Sequence, residues 1–307
     1  MSKFKFKVDI LARIAHAIQG GGRPSYRPPT TKALPRMRPT EASVQWEAEN
    51  GALITEGSCL RAVWYRAKDF PETDDVDARM HWIWALGHWY EAKCQQLTRE
   101  SGDLARPSVR IRDESFPLAI SGELDAVNLI PGCDPDNPRY FLIDYKSTGG
   151  YYSGVKLLGN RNHKAFPKIG NLLQLMVYLD HDPRLEFGML VYLIRDKMEQ
   201  TQFEIELVKY QVGDSVLTAA KVNGEVCPQY SIQEIKRRYS ALCGYYMRNE
   251  LPPRDYDHVY SIERARQLHA IGMLGKTKMA NAEKGQEIGD WVCDYCNFRA
   301  QCLKDGA

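Results

Sequence analysis

A chain of 307 residues is long enough for one large domain or two modest ones, and its 44% hydrophobic and 26% charged residues are ordinary for a globular protein. A net charge of +2 neither requires nor excludes a nucleic-acid partner, because a basic groove can sit on a nearly neutral molecule. No run approaches the roughly 18 apolar residues of a membrane helix, and the absence of a membrane partner is expected.

The N-terminus is basic and partly apolar, but Asp9, Arg13 and His16 interrupt it, so it does not read as a signal peptide. A cytoplasmic protein is expected. Its eight cysteines would then lie in a reducing compartment, where clustered thiols point to metal or redox sites rather than disulfides.

Val8, Ile10, Leu11, Ile14 and Ile18 recur with helical periodicity, and "GGGRPSYRPPTTKALPRMRP" after them reads as an extended linker or surface arm. Together they make an N-terminal helix and arm over residues 1–45, ahead of a main domain over 46–307. Ser58 is the expected N-cap of "CLRAVWYRAKD", and a longer helix is expected over 77–99. Strands are expected at 107–113, 117–130 and 140–147, the last two joined by the turn-rich "PGCDPDNPR". A helix over 169–180 precedes strands at 186–194 and 201–209, and a helix at 231–249 comes next. Residues 254–288 read as a helical insertion before the tail "DWVCDYCNFRAQC". Helices alternating with strands predict a mixed α/β fold, a central mixed sheet flanked by helices with helical extensions.

In "LIDYKST" the strand pleat sends Asp144 and Lys146 to one face and Tyr145 to the other. "SGELDAV" brings Asp125 from a neighbouring strand expected to be antiparallel. Two converging carboxylates repel unless a cation lies between them, and hard oxygen ligands suit Mg²⁺ or Mn²⁺. By itself a D-x-K pair is more often an ordinary surface or core ion pair. His88 and Glu91 share one helix face at i and i+3, as do Gln174 and Tyr178 at i and i+4.

The tail holds Cys293, Cys296 and Cys302 in a C-x2-C-x5-C cluster that lacks a fourth ligand. Cys59 is the candidate fourth ligand, with Cys94, Cys133, Cys227 and Cys243 as alternatives that read better as small buried hydrophobes. Zinc and an iron–sulfur cube both accept four thiolates.

In order, G-H-x-x-E, G-x-x-D, D-x-K and Q-x-x-x-Y over residues 87–178 resemble the PD-(D/E)XK (restriction endonuclease-like) nuclease superfamily, closest to its RecB-like branch. The resemblance implies a catalytic core over about 77–210 and a metal held by His88, Asp125, Asp144 and the Tyr145 backbone carbonyl. It makes Lys146 the catalytic lysine, with Gln174 and Tyr178 shaping the site. Glu91 matches a frequent acidic residue, and Glu123 is the substitute acid if the register shifts.

One early cysteine with three in the tail (291–303) resembles CRISPR-associated RecB-like and AddB-type exonucleases. There the four cysteines hold a 4Fe–4S cluster that staples the tail to the N-terminal helices; zinc is the runner-up. The same resemblance implies a DNA exonuclease of recombination, repair or CRISPR-type DNA processing, bacterial or in a phage-infected cell. Its expected partner DNA is single-stranded or an end-containing duplex, with a preference for single-stranded ends and 5′→3′ polarity, and a recombination or CRISPR-adaptation protein is its expected protein partner. A flap endonuclease and a non-catalytic DNA-binding subunit are the alternatives. The mix of aromatic and basic residues at 149–168 suits DNA contact, through Tyr151, Tyr152, Lys156, Arg161, Lys164 and Lys168, though such a loop is also an ordinary solvated one.

Overall fold

The computed structural model describes residues 35–72, 78–100, 104–130, 133–161 and 163–306. Its first strands, β1 (Ser43–Glu47) and β2 (Leu53–Gly57), form an antiparallel hairpin of their own. The main sheet follows sequence order: β3 (Leu104–Asp113), β4 (Ile120–Leu129), β5 (Tyr140–Thr148), β6 (Leu185–Ile194), β7 (Glu199–Val212), β8 (Ser215–Val222) and β9 (Glu225–Ser231). Every neighbouring pair is antiparallel except β5 and β6.

A parallel pair needs a long crossover. Here it is the stretch 149–184, which carries helices at Tyr151–Leu158 and Ile169–His181. The sheet is therefore mixed and helices flank it.

The helices are α1 (Leu60–Ala67), α2 (Ala78–Glu100), α3 (Tyr151–Leu158), α4 (Ile169–His181), α5 (Ile232–Arg248), α6 (Ile262–Ala270), α7 (Lys276–Glu283) and two short tail helices, α8 (Trp291–Asp294) and α9 (Arg299–Lys304). Buried Leu172, Leu173, Leu175, Met176 and Leu179 of α4 join Leu190, Tyr192, Phe203 and Ile205 of the sheet in the principal core. No helix among the described residues is long and apolar enough to cross a membrane.

The expected helix at 8–18 lies outside the described residues. The arm after it ends inside the fold: Met37 is fully buried, its N–H donates to the Ala119 carbonyl, and its own carbonyl accepts from Ser121. A single long apolar side chain among prolines and arginines gave no periodicity to reveal this.

Ser58 is not the N-cap of α1. That position is Cys59, and the Leu60 N–H donates instead to Asp255 Oδ2 at 2.6 Å, from 195 residues downstream. A long-range carboxylate has displaced the local cap expected from sequence.

Strands β1, β2, β8 and β9 were not anticipated. For β8 and β9 a signal was present: Asn223-Gly224, both at positive φ, is the two-residue hairpin turn that right-twisted strands prefer. Residues 254–288 do carry α6 and α7. Their Ala265, Leu268, Leu274 and Met279 form a second apolar cluster with Ala48, Ala52 and Ile54 of the β1–β2 hairpin.

Candidate functional site

Pairing between β4 and β5 runs from Leu129↔Tyr140 to Ala126↔Ile143 and then stops. The next pair in that register would set Asp125 opposite Asp144, and Glu123 opposite Lys146. Instead the Asp125 carboxylate itself accepts the Tyr145 N–H, at 2.8 Å. A side chain thus satisfies a backbone donor that the ladder no longer reaches. On the other face, the Tyr145 ring meets Tyr90 edge-on at 6.2 Å, and its hydroxyl lies 3.0 Å from Thr98 Oγ1. These contacts brace the fork from behind through α2.

Asp144 is fully buried. One of its oxygens accepts from Lys146 Nζ at 2.7 Å, and the other, Oδ2, is buried with no hydrogen-bond partner. Burial, and then the negative charge of Asp144, push the Asp125 carboxyl well above its ordinary range. Burial would lower the Lys146 pKa, but Asp144 and Asp125 outweigh it and raise it, so the side chain is a persistent ammonium ion. An orphaned carboxylate oxygen beside a second carboxyl that resists ionisation is the donor set a hard divalent cation would satisfy. The residues fit such an ion.

The raised Asp125 pKa has a stability consequence. The folded state holds this proton more tightly than the unfolded state, so the group's unfavourable contribution grows as pH rises from the ordinary 3.8 toward the raised folded-state value. Asp125→Asn is expected to raise the melting temperature of metal-free protein at neutral pH and to flatten its pH dependence. A melting series from about pH 4 to about pH 8 with EDTA checks this; equal slopes for the two proteins would contradict it.

Helix α2 adds Glu91, whose pKa is raised mainly by burial, with His88 and Lys146 opposing and Asp144 adding. Gln95, which belongs to none of the motifs read from the sequence, bonds both sides of the site: its Nε2 donates to Glu91 Oε1 at 3.1 Å and to the Asp125 carbonyl at 2.7 Å. Its spacing of i+4 from Glu91 was the available signal. His88 is not drawn in; its ring is 83% exposed, with Nδ1 4.0 Å from Glu91 Oε2. Glu123 is also exposed, beside Arg110.

From α4, Gln174 donates to the Tyr178 hydroxyl at 3.3 Å, and that hydroxyl donates to the Glu123 carbonyl at 2.9 Å. Burial pushes the Tyr178 pKa up to about 12, so it stays a donor. Gly122 makes room: a Cβ there would lie 2.9 Å from the Tyr178 oxygen and 2.8 Å from Pro39. The glycine of G-x-x-D is thus a steric requirement of the clamp.

Residues 151–158, expected as part of a flexible loop, form helix α3, with Leu157 fully buried. The side chains of Tyr151 and Tyr152 lie outside the described residues. Lys164 pairs with Glu225 at the far edge strand, which removes it from the fork, and Lys156 and Arg161 are exposed. Lys168 does lie close: its Nζ donates to Thr148 Oγ1 at 2.6 Å, on the strand face of Asp144 and Lys146. Burial, and then Arg195 and Lys156, lower its pKa, which marks a small cluster of cations. Arg195 donates to Ser147 Oγ at 3.1 Å and is a further cation that the sequence did not single out.

Cys59, Cys293, Cys296 and Cys302 line one small cavity between α1 and the tail, with Arg61, Arg254 and His258. Burial, and then Asp255, push the Cys59 thiol up to about 11. Burial, Asp290 and the other three cysteines push Cys293 to about 12. Thiols held in this way would release protons on binding a metal. Cys94, Cys133, Cys227 and Cys243 are not at this cavity, and Cys227 and Cys243 are buried in the core. Among the described residues no three His, Cys, Asp or Glu side chains are drawn in as a ligand group.

No family model matches the chain, and no curated protein matches it. Of solved structures, the chain is similar to the one titled "Crystal structure of SSO0001", at 14% identity and a TM-score of 0.45, over 97% of this chain and 98% of that one. A likeness of that depth carries no inference about activity.

Proposed function

We infer that this chain is a metal-dependent DNA exonuclease with a PD-(D/E)XK core of the RecB-like branch, acting in recombination, repair or CRISPR-type DNA processing. One observation carries the reading: the β4–β5 ladder opens where Asp125, Asp144 and Lys146 meet, and it leaves a buried carboxylate oxygen without a partner. An isolated structural ion pair would need no second carboxyl and would leave no acceptor unused.

Asp125 and Asp144 would hold Mg²⁺ or Mn²⁺, with Glu91 and the Tyr145 carbonyl nearby. When bound, the ion would supply Lewis-acid polarisation of the phosphoryl oxygen and activation of the attacking water. Lys146, held 2.7 Å from Asp144, would stabilise the negative charge that grows on the phosphoryl oxygens. Gln174 and Tyr178 hold the Glu123 carbonyl, and Gln95 holds that of Asp125, so the carboxylates stay where the strand sets them. Lys168, on the strand face of Asp144 and Lys146, would extend positive charge from the fork for a phosphate backbone.

Cys59, Cys293, Cys296 and Cys302, which line one cavity, are the thiolates that a 4Fe–4S cluster joining the tail to α1 would use. Protein purified without oxygen should contain iron and acid-labile sulfide, and Cys59→Ser or Cys302→Ser should lose both and melt at a lower temperature. Stoichiometric zinc would replace the cluster with the runner-up metal.

Nuclease activity is tested by following a 5′-labelled single-stranded oligonucleotide with Mg²⁺ or Mn²⁺ and with EDTA. The expected result is metal-dependent release of short products from the labelled end. Intact oligonucleotide with either metal would contradict it.

A further inference from the structure

We propose that His258 donates a hydrogen bond to a sulfur of the 4Fe–4S cluster and raises its reduction potential; this rests on the cluster reading above. Residues 254–288, to which the nuclease motifs assign nothing, open with Arg254 and His258, and both line the four-cysteine cavity.

Backbone pairing lays this segment against the tail. The Asp257 N–H donates to Asp290 Oδ2 and the Asp290 N–H donates to the Asp257 carbonyl, both at 2.8 Å. The Tyr260 N–H donates to the Ile288 carbonyl at 2.7 Å. Gly289 permits the close approach, since a Cβ there would collide with the His258 carbonyl. Asp290 is also the N-cap of α8, the helix that carries Cys293. The same contacts therefore fix His258 and the first tail cysteine together.

Hydrogen-bond donors crowd the cavity. Backbone N–H groups of Ala62, Asp255 and Arg61 bond the Cys59 sulfur, and Arg61 Nη1 donates to Cys302 Sγ at 3.7 Å. Arg254 Nε and both ring nitrogens of His258 are buried with no hydrogen-bond partner among the described residues. Arg61 also holds the Pro252 and Gly306 carbonyls, and Arg254 holds that of Cys302, so both guanidiniums already brace the tail. The His258 ring has no such duty.

Imidazole carries at least one N–H in every protonation state, and a buried N–H without an acceptor is costly. Thiolate and sulfide sulfurs in the cavity would be its acceptors. Hydrogen bonds to the sulfurs are one of the levers that set an iron–sulfur potential. Reduction adds one negative charge to the cluster, so an N–H donor stabilises the reduced form more than the oxidised form and raises the potential.

The test is a redox titration of anaerobically purified wild-type, His258→Phe, His258→Asn and His258→Gln proteins. Dithionite supplies the electron, visible absorbance reports the cluster, and iron and acid-labile sulfide are measured beside it. Phenylalanine keeps the ring and removes both nitrogens, while the amide nitrogens of Asn and Gln take roughly the places of Nδ1 and Nε2. The expected His258→Phe protein keeps wild-type iron and sulfide. Its reduced-to-oxidised ratio at a fixed potential falls on the order of tenfold, a shift of about 59 mV for one electron. One of the two amide variants should restore the wild-type potential and the other should not, a contrast that stands even if His258→Phe fails to fold.

Equal potentials in all four proteins would overturn the proposal while leaving the cluster standing, as would a wild-type cluster that dithionite leaves oxidised. A shift that neither amide restores would also overturn it, since packing would then be the cause. Loss of iron from His258→Phe protein that melting curves show to be folded would make the ring a ligand instead of a donor. Stoichiometric zinc, or no metal, in the wild type would overturn the cluster reading and this proposal with it.

Discussion

Lys146→Ala is expected to lower the rate of DNA cleavage by on the order of a thousandfold while leaving the protein folded. The ammonium lies 2.7 Å from Asp144 and is one-quarter exposed, so it is held by a buried acid and also open to a substrate. Removing it deletes the fixed positive charge nearest the phosphoryl group. It also leaves Asp144 with two unpartnered oxygens in a buried setting, which raises the demand for a cation there.

Two consequences separate a catalytic lysine from a merely structural ion pair. Metal-free Lys146→Ala protein should melt below wild type, and added Mn²⁺ should recover much of that loss, because a cation replaces the missing charge beside Asp144. Activity should stay low even with metal at saturation. Measured kcat with stability as a companion decides it; near-normal kcat would remove Lys146 from the chemistry.

The second large effect concerns Asp255. Its Oδ2 accepts the Leu60 N–H that opens α1 and pairs with Arg238 of α5 at 2.6 Å, and both side chains of that pair are almost fully buried. Arg238 also donates to Ser43 Oγ at the start of β1. One carboxylate thus ties together the first hairpin, the N-terminus of α1 and the helix that closes the sheet.

Asp255→Ala leaves a buried guanidinium uncompensated and a helix terminus uncapped, a cost of about 3–5 kcal/mol. That corresponds to a fall in melting temperature on the order of 10 °C. Asp255→Asn keeps an acceptor for Leu60 but not the charge, and should fall between the two. Because Cys59 is the N-cap residue of α1, loosening this end would also weaken the proposed cluster, read as a lower iron content in Asp255→Ala protein. A melting temperature within a degree or two of wild type would show that the pair contributes little.

Much of the site was legible because its chemistry is written at short range. A strand pleat suffices to set Asp144 beside Lys146, and helix spacing suffices to pair Gln174 with Tyr178. Asp125 was found because an acid two residues after another, in a run that alternates, needs only one neighbouring strand to reach the same spot.

What escaped depends on contacts between distant segments. Gln95 looks like any polar residue of a long helix until β4 runs beneath it. Asp255 sits in a turn whose only local signal is proline, and it acts 195 residues away. Residues 149–168 read as a loop because glycine and tyrosine are weak helix formers, yet Leu157 packs into the core and gives helix α3 its reason to form. His88 shows the opposite failure: motif order brought it to notice, but its ring points largely to solvent.

The most direct test of the nuclease reading is the fate of end-labelled linear DNA beside covalently closed circular DNA. The protein is purified anaerobically, with Mn²⁺ or Mg²⁺ and with EDTA, next to Asp125→Ala and Asp144→Asn proteins. Degradation of linear DNA alone, dependent on the metal and lost in both variants, is the predicted result. Intact linear DNA in the presence of folded, iron-loaded wild-type protein would contradict it, and binding without cutting would make the chain a DNA-binding subunit.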